Sequence, residues 1–100
     1  MFFREANERL ERLNESVGEA EGGEPMGFLC ECGDETCAER IELTREEYER
    51  ARSDPTLFVI LPGHEQGAVE EVVEQADRYH IVRKRAGEPA QMAKDLDPRP

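Results

Sequence analysis

Three cysteines in a segment of eight residues constrain this chain more than any other feature. The segment reads Cys30-Glu31-Cys32-Gly33-Asp34-Glu35-Thr36-Cys37, and it holds all 3 cysteines of the chain. An odd number of clustered thiols favours a metal or redox role over a disulfide framework. Cys30 and Cys32 fall on one side of an extended segment, and the residues between Cys32 and Cys37 suffice for a turn. The cluster therefore predicts three thiolates that face one ion.

A closed structural zinc site takes four thiolate or imidazole ligands, so the cluster needs one more. His64 follows an apolar run that Pro62-Gly63 breaks, which places its ring at the end of a predicted strand. We predict a Zn²⁺ site with the ligands Cys30, Cys32, Cys37 and His64. The alternatives for the fourth position are Glu31, Asp34, Glu35 and a water molecule. Cu(I) also suits thiolates, and thiols without a metal are the remaining interpretation.

The length of the chain predicts one small domain, with a helix, a linker and a tail outside it. The 100 residues divide into an N-terminal amphipathic helix at 1–17, a flexible Gly-rich linker at 18–27, a zinc-binding α+β domain at 28–96 and a disordered tail at 97–100. About 70 residues form the compact part, and domains of that size commonly need a metal or disulfides to supplement the core.

Charge and hydropathy exclude several classes of partner. The chain has 24 acidic and 13 basic residues and a net charge of −11. Phosphate contacts require Lys and Arg, so we expect no direct nucleic-acid binding, and the basic triplet at 83–85 is interpreted as a strand end. Anionic membranes repel such a chain, and it has no long apolar run. We expect no signal peptide, because the first residues lack a basic region and a long apolar core. We expect a cytoplasmic protein with reduced thiols and a protein partner.

The first helix is predicted from an apolar stripe. Its members are Phe3, Ala6, Leu10, Leu13 and Val17. Steps of three and four residues place them on one helix face. Either this face packs onto the chain's own core, or residues 1–17 form a short coiled coil that binds a partner or a second copy.

A capping box predicts the second helix. Thr44 and Glu47 have the spacing in which each side chain caps the backbone of the other, and Leu43 and Tyr48 fit the accompanying hydrophobic staple. This helix is expected at 45–53, before Asp54-Pro55.

The other elements predict a small, mostly antiparallel sheet. The apolar run at 56–61 is interpreted as its central buried strand. Residues 68–76 fit a helix or a strand, and we favour strand–turn–strand through Ile81-Val82. Pro89 is expected to open a last short helix. The predicted fold class is α+β: a small, mostly antiparallel sheet with flanking helices and a zinc-stapled cysteine loop.

Three functions are compatible with these features. The first is a small zinc-binding module for protein interaction or regulation, with a structural Cys3His site. The second is a thiol-based redox or metal sensor. The third is a small zinc enzyme with an open coordination position, which the lack of room for a deep pocket argues against. His80 lies within a strand-like segment and is expected to be an ordinary side chain.

Several segments together resemble a group of small, acidic proteins of actinobacterial type. They read Phe-Leu-Cys-Glu-Cys-Gly-Asp-Glu-Thr-Cys at 28–37, Ile-Glu-Leu-Thr-Arg-Glu-Glu-Tyr at 41–48 and Leu-Phe-Val-Ile-Leu-Pro-Gly-His-Glu at 57–65. The resemblance extends over residues 2–85 and includes Cys30, Cys32, Cys37 and His64. That group has no established activity, so the resemblance implies a recurring domain and no particular reaction.

Overall fold

The computed structural model describes residues 2–16, 25–33 and 36–99. In these ranges the chain is an α+β protein, as predicted, with two small antiparallel sheets and three helices. In chain order the elements are α1 Phe2–Ser16, β1 Met26–Leu29, β2 Arg40–Leu43, α2 Arg45–Arg52, β3 Leu57–Ile60, β4 Glu70–Gln75, β5 His80–Lys84 and α3 Glu88–Asp95. Met26 and Gly27, expected in the linker, belong to β1. Most of the linker and the turn residues Asp34 and Glu35 lie outside the described residues.

The two sheets differ in strand number. β1 and β2 form a two-stranded ladder, and the second sheet has the order β3-β5-β4. The expected strand at 56–61 is therefore present and buried, but β5 is the central strand. The outer edge of β3 instead meets Glu31, whose backbone N–H donates to the Val59 carbonyl at 2.8 Å. The cysteine segment thus joins the two sheets.

Residues 68–76 contain a strand, the interpretation that we favoured. β4 pairs with β5 in an antiparallel hairpin, and the register shifts between Val72 and Glu74. Ile81 and Val82 are both buried because β5 has neighbours on both sides and packing on both faces.

The capping box of α2 is confirmed. Glu47 donates its backbone N–H to Thr44 Oγ1 at 3.1 Å, and Thr44 donates its own to Glu47 Oε1 at 2.8 Å. Tyr48 enters the core, where its ring stacks on Phe28 with centroids 4.4 Å apart. These contacts fix α2 against β1 and β2.

The first helix lies on the folded body through a polar face, which the apolar stripe did not predict. Arg4 and Asn7 are completely buried, and Glu8 and Glu11 nearly so. Leu13, a member of the stripe, is 63% exposed. Since residues three and four apart share a helix face, these four polar residues form one docking face.

The charged end of α1 lies beside the C-terminal residues. Arg99 is ion-paired with Glu8 and Glu49, and Asp97 with the buried Arg52. The part of the expected tail that the structure describes, 97–99, therefore contacts the body instead of extending from it.

Candidate metal centre

The two closely spaced cysteines are held by backbone bonds between the sheets. Cys30 extends the β1–β2 ladder, because its N–H donates to the Glu39 carbonyl at 2.9 Å. The next residue, Glu31, pairs with Val59 on β3. Since alternate residues of an extended segment face opposite sides, Cys30 and Cys32 face one way and Glu31 the other.

A tight turn after β3 positions His64. The His64 N–H donates to the Leu61 carbonyl at 3.0 Å, and Gly63 between them has a φ of 89°. Proline followed by a residue with positive φ is the arrangement of a type II turn. The ring therefore starts from a fixed backbone position.

A second clamp holds the chain just after His64. The Gln66 N–H donates to Glu70 Oε1 at 2.9 Å, and the Glu70 N–H donates to the Gln66 carbonyl at 2.9 Å. Glu70 is fully buried, and its other oxygen lies 2.5 Å from Lys84 Nζ. The segment that carries His64 is thus tied at both ends to the three-stranded sheet.

The three sulfurs and the imidazole meet at one point. All four donor atoms lie within 4.8 Å of one another. His64 Nδ1 is 3.6 Å from Cys30 Sγ and 3.8 Å from Cys37 Sγ. A tetrahedral zinc ion with bonds of about 2.3 Å to sulfur and 2.0 Å to nitrogen separates such donors by about 3.5 Å. The group can hold a metal ion after small adjustments of the side chains.

Burial controls the protonation of Cys30. It raises the pKa of the Cys30 thiol to about 12, although hydrogen bonds from the Leu61 and Cys32 backbones to the sulfur lower it. The Leu61 N–H lies 3.3 Å from Cys30 Sγ. The thiolate at this position therefore needs a cation beside it at neutral pH, and a bound metal supplies that charge.

Glu31 lies outside the donor group, and both of its carboxylate oxygens are hydrogen-bonded elsewhere. Oε1 accepts from the Val59 N–H at 3.1 Å, and Oε2 accepts from Asn7 Nδ2 at 2.8 Å. Burial raises the pKa of this fully buried carboxyl, and the bonds from Asn7 and Val59 oppose that rise. Among the alternatives, Asp34 and Glu35 lie outside the described residues.

The structure brings together the four residues predicted to be metal ligands. Cys30 and Cys32 are buried, whereas Cys37 and His64 are half-buried. His80 lies outside the group, and its Nδ1 is buried without a hydrogen-bond partner in the described part of the chain. A cluster with two buried and two partly accessible donors can take up an ion from one side.

Two residues that support the centre were missed by the sequence analysis. Asn7 belongs to a helix and is 22 residues away from Leu29, to which it is bonded. Glu70 lies in a strand rich in Glu. Polar residues in such positions ordinarily face water, so nothing in the local pattern distinguishes these two.

No protein-family model, curated protein or solved structure matches this chain. The resemblance drawn from the cysteine and Pro-Gly-His-Glu segments therefore stays a prediction. No helix in the described ranges is both long and apolar enough to cross a membrane.

Proposed function

We propose that this protein is a small zinc-binding module whose Cys3His centre fixes the fold for interaction with another protein. Cys30, Cys32, Cys37 and His64 are the ligands, and His64 binds through Nδ1. The observation that carries the proposal is the convergence of four donors, three from the cysteine segment and one from the turn after β3, within 4.8 Å. Zinc is preferred because sulfur and imidazole in a tetrahedral set are its usual structural ligands.

The arrangement favours a structural role over catalysis. Three thiolates and one imidazole complete a tetrahedral set, so no position is left for a substrate or an activated water. The segments that contribute the ligands also connect the two sheets, so an ion at this place ties together the parts of a small core.

Thermal unfolding with and without a chelator tests the structural role. The zinc-loaded full chain should unfold at a clearly higher temperature than the same protein after chelation, and adding zinc back should restore the difference. The control is magnesium, which prefers oxygen ligands and should not restore it. Equal melting temperatures for the loaded and chelated protein would reject a structural metal.

The interaction part of the proposal is supported by charge. A net charge of −11 disfavours anionic partners and favours a surface rich in Lys and Arg. Residues 1–17 remain the proposed contact, with Leu13 exposed on the outer side of α1. A cytoplasmic location, where thiols stay reduced, suits the same chemistry.

A redox sensor is the second candidate, and the position of Cys37 favours it. Cys37 is half-buried, whereas the other two cysteines are buried. Hydrogen peroxide would oxidise the Cys37 thiolate to a sulfenic acid, which would condense with a neighbouring thiol to a disulfide and water. The centre would then lose two thiolate ligands and release its metal.

Peroxide titration with a chromophoric zinc chelator tests the sensor function. The sensor predicts zinc release in step with disulfide formation, with Cys37 as the first residue oxidised in mass-spectrometric mapping. Retention of the metal while exposed methionines such as Met92 are oxidised would reject this candidate.

A further inference from the structure

Asn7 connects α1 to the segment around the cysteines through three side-chain hydrogen bonds. Its Nδ2 donates to the Leu29 carbonyl at 2.8 Å, and its Oδ1 accepts from the Leu29 N–H at 2.7 Å. The side-chain amide thus pairs with β1 as a neighbouring strand would. Nδ2 also donates to Glu31 Oε2 at 2.8 Å.

Glu31 carries this connection to the ligands. It lies between Cys30 and Cys32, and its carboxylate points away from them, to Asn7 on one oxygen and to the Val59 N–H on the other. An extended segment cannot shift its two cysteines without shifting the residue between them. The position of the carboxylate that α1 binds therefore depends on the backbone positions of Cys30 and Cys32.

The rest of the docking face is held by buried polar contacts to other parts of the folded body. Arg4 donates to the Pro55 and Ala93 carbonyls at 2.6 and 2.7 Å, and Tyr48 donates its hydroxyl to Glu8 at 2.6 Å. Buried polar contacts stabilise only when their geometry is kept, because each unmade bond leaves a desolvated group. A helix held by such contacts detaches more readily after a small displacement than one held by apolar packing.

We propose that metal binding at the cysteine cluster holds α1 on the folded body through Asn7 and Glu31, and that metal loss releases the helix. This inference rests on the proposed metal site and adds its regulatory output: the N-terminal segment becomes accessible when the metal leaves. Asn7 and Glu31 are positioning residues, since they act on the ion through Cys30 and Cys32. By thermodynamic linkage, docking of α1 raises the metal affinity by the same factor by which bound metal raises the equilibrium constant for docking.

Hydrogen exchange on the full-length wild type tests the release directly. Amides of α1 should exchange at least about tenfold faster after zinc removal by a chelator, while those of the β4–β5 hairpin change less, because local opening exposes only the unit that detaches. If exchange of the α1 amides is unchanged, or rises no more than that of the hairpin amides, the coupling between the metal and α1 is rejected, whereas the proposed metal site is not. If native mass spectrometry finds no bound metal beforehand, the proposed function fails and this inference with it.

A pair of α1 variants tests the reverse direction. Asn7→Ala should weaken zinc affinity by about tenfold, the lower range for loss of a group that orients metal ligands. The control is Arg9→Ala on the same helix, where the side chain is exposed and pairs only with the exposed Glu5 in the structure described. The Co²⁺-loaded Asn7→Ala protein should also show shifted ligand-field bands, a change that lower stability alone does not produce. Equal zinc affinities for the two variants would overturn the proposal, and the wild-type exchange measurement decides it if Asn7→Ala does not fold.

Discussion

At the scale of single residues, the centre combines common ligands with an uncommon support. The cysteines and His64 provide the candidate donors. The Leu61 N–H donates to Cys30 Sγ, and the neighbouring Glu31 is held by bonds from Val59 and Asn7 to its carboxylate. Loss of one ligand would weaken the hold on the ion, and a buried cysteine without a cation beside it takes up a proton and no longer ties the two sheets together. Substitution at the ligands should therefore affect both metal retention and stability.

Replacement of His64 tests the fourth ligand. His64→Ala should weaken zinc affinity by more than about 100-fold, since loss of a supporting group alone costs about 10–100-fold. The measurement is a competition titration against a chromophoric chelator. His80→Ala is the matched control because His80 lies outside the donor group. Equal affinities for the two variants would show that the imidazole of His64 is not a ligand.

The Glu11 carboxyl should make the stability of the fold depend on pH, and a single substitution separates its contribution from that of the other titratable groups. Burial and a hydrogen bond with Glu49 raise its pKa from 4.5 to about 8. Between these values the folded protein keeps a proton that the unfolded chain has released, so stability falls as the pH rises. Glu11→Gln has no such proton. Denaturant unfolding from pH 5 to 8 should therefore show wild type losing stability relative to this variant, and a constant difference would contradict the assignment.

The members of the donor cluster were predictable from sequence, whereas the residues that hold the cluster in place were not. Clustered cysteines and a histidine after a Pro-Gly break are rare enough to indicate a metal site by their chemistry. Asn7 and Glu31 are polar residues among many, and their burial depends on how α1 docks. That docking arises from contacts between residues far apart in the chain, which a local pattern does not encode.

At the scale of elements, turns and caps place the ligands. The Pro62-Gly63 turn aims His64, and the bonds between Gln66 and Glu70 keep the following segment in place. The sequence predicted α2 and the β4–β5 hairpin because caps and alternating apolar residues act locally. It did not predict the docking face of α1, since an apolar stripe ordinarily marks the buried side.

The turn before His64 provides a test at this scale. Gly63→Ala should destabilise the fold by about 1 kcal/mol, because a side chain disfavours positive φ, and should lower zinc affinity by displacing His64. Gly67→Ala is the control: an added Cβ at either glycine meets no atom within 4 Å, and only Gly63 has positive φ. Chemical denaturation and zinc competition measure the two effects. Equal stabilities and equal zinc affinities for both variants would show that the Pro62-Gly63 turn does not position His64.

The cap of α2 gives a test that is independent of the metal. Thr44→Ala removes the hydroxyl that accepts from the Glu47 N–H, and it should cost about 1 kcal/mol of stability. Zinc affinity should stay unchanged because the cap lies outside the donor group. A large loss of affinity in this variant would show that metal binding follows overall stability instead of local geometry.

At the scale of the whole molecule, the proposed metal would compensate for a small core. Within residues 2–16, 25–33 and 36–99, fourteen hydrophobic residues form the buried core, and two of them are Cys30 and Cys32. Two of the four candidate ligands therefore occupy interior positions that a larger domain would fill with aliphatic side chains. The acidic surface adds charge repulsion that such a core must also overcome.

Native mass spectrometry of the full chain, purified without added metal, tests whether the protein carries a structural metal. We expect one zinc ion per chain, with the mass lowered by the protons that the thiols lose on binding. The same spectrum shows whether two chains associate, and His64→Ala should retain less metal under identical conditions. A wild-type chain that carries no stoichiometric metal, and gains none when zinc is supplied to the reduced protein, would show that the cysteine cluster is not a zinc centre.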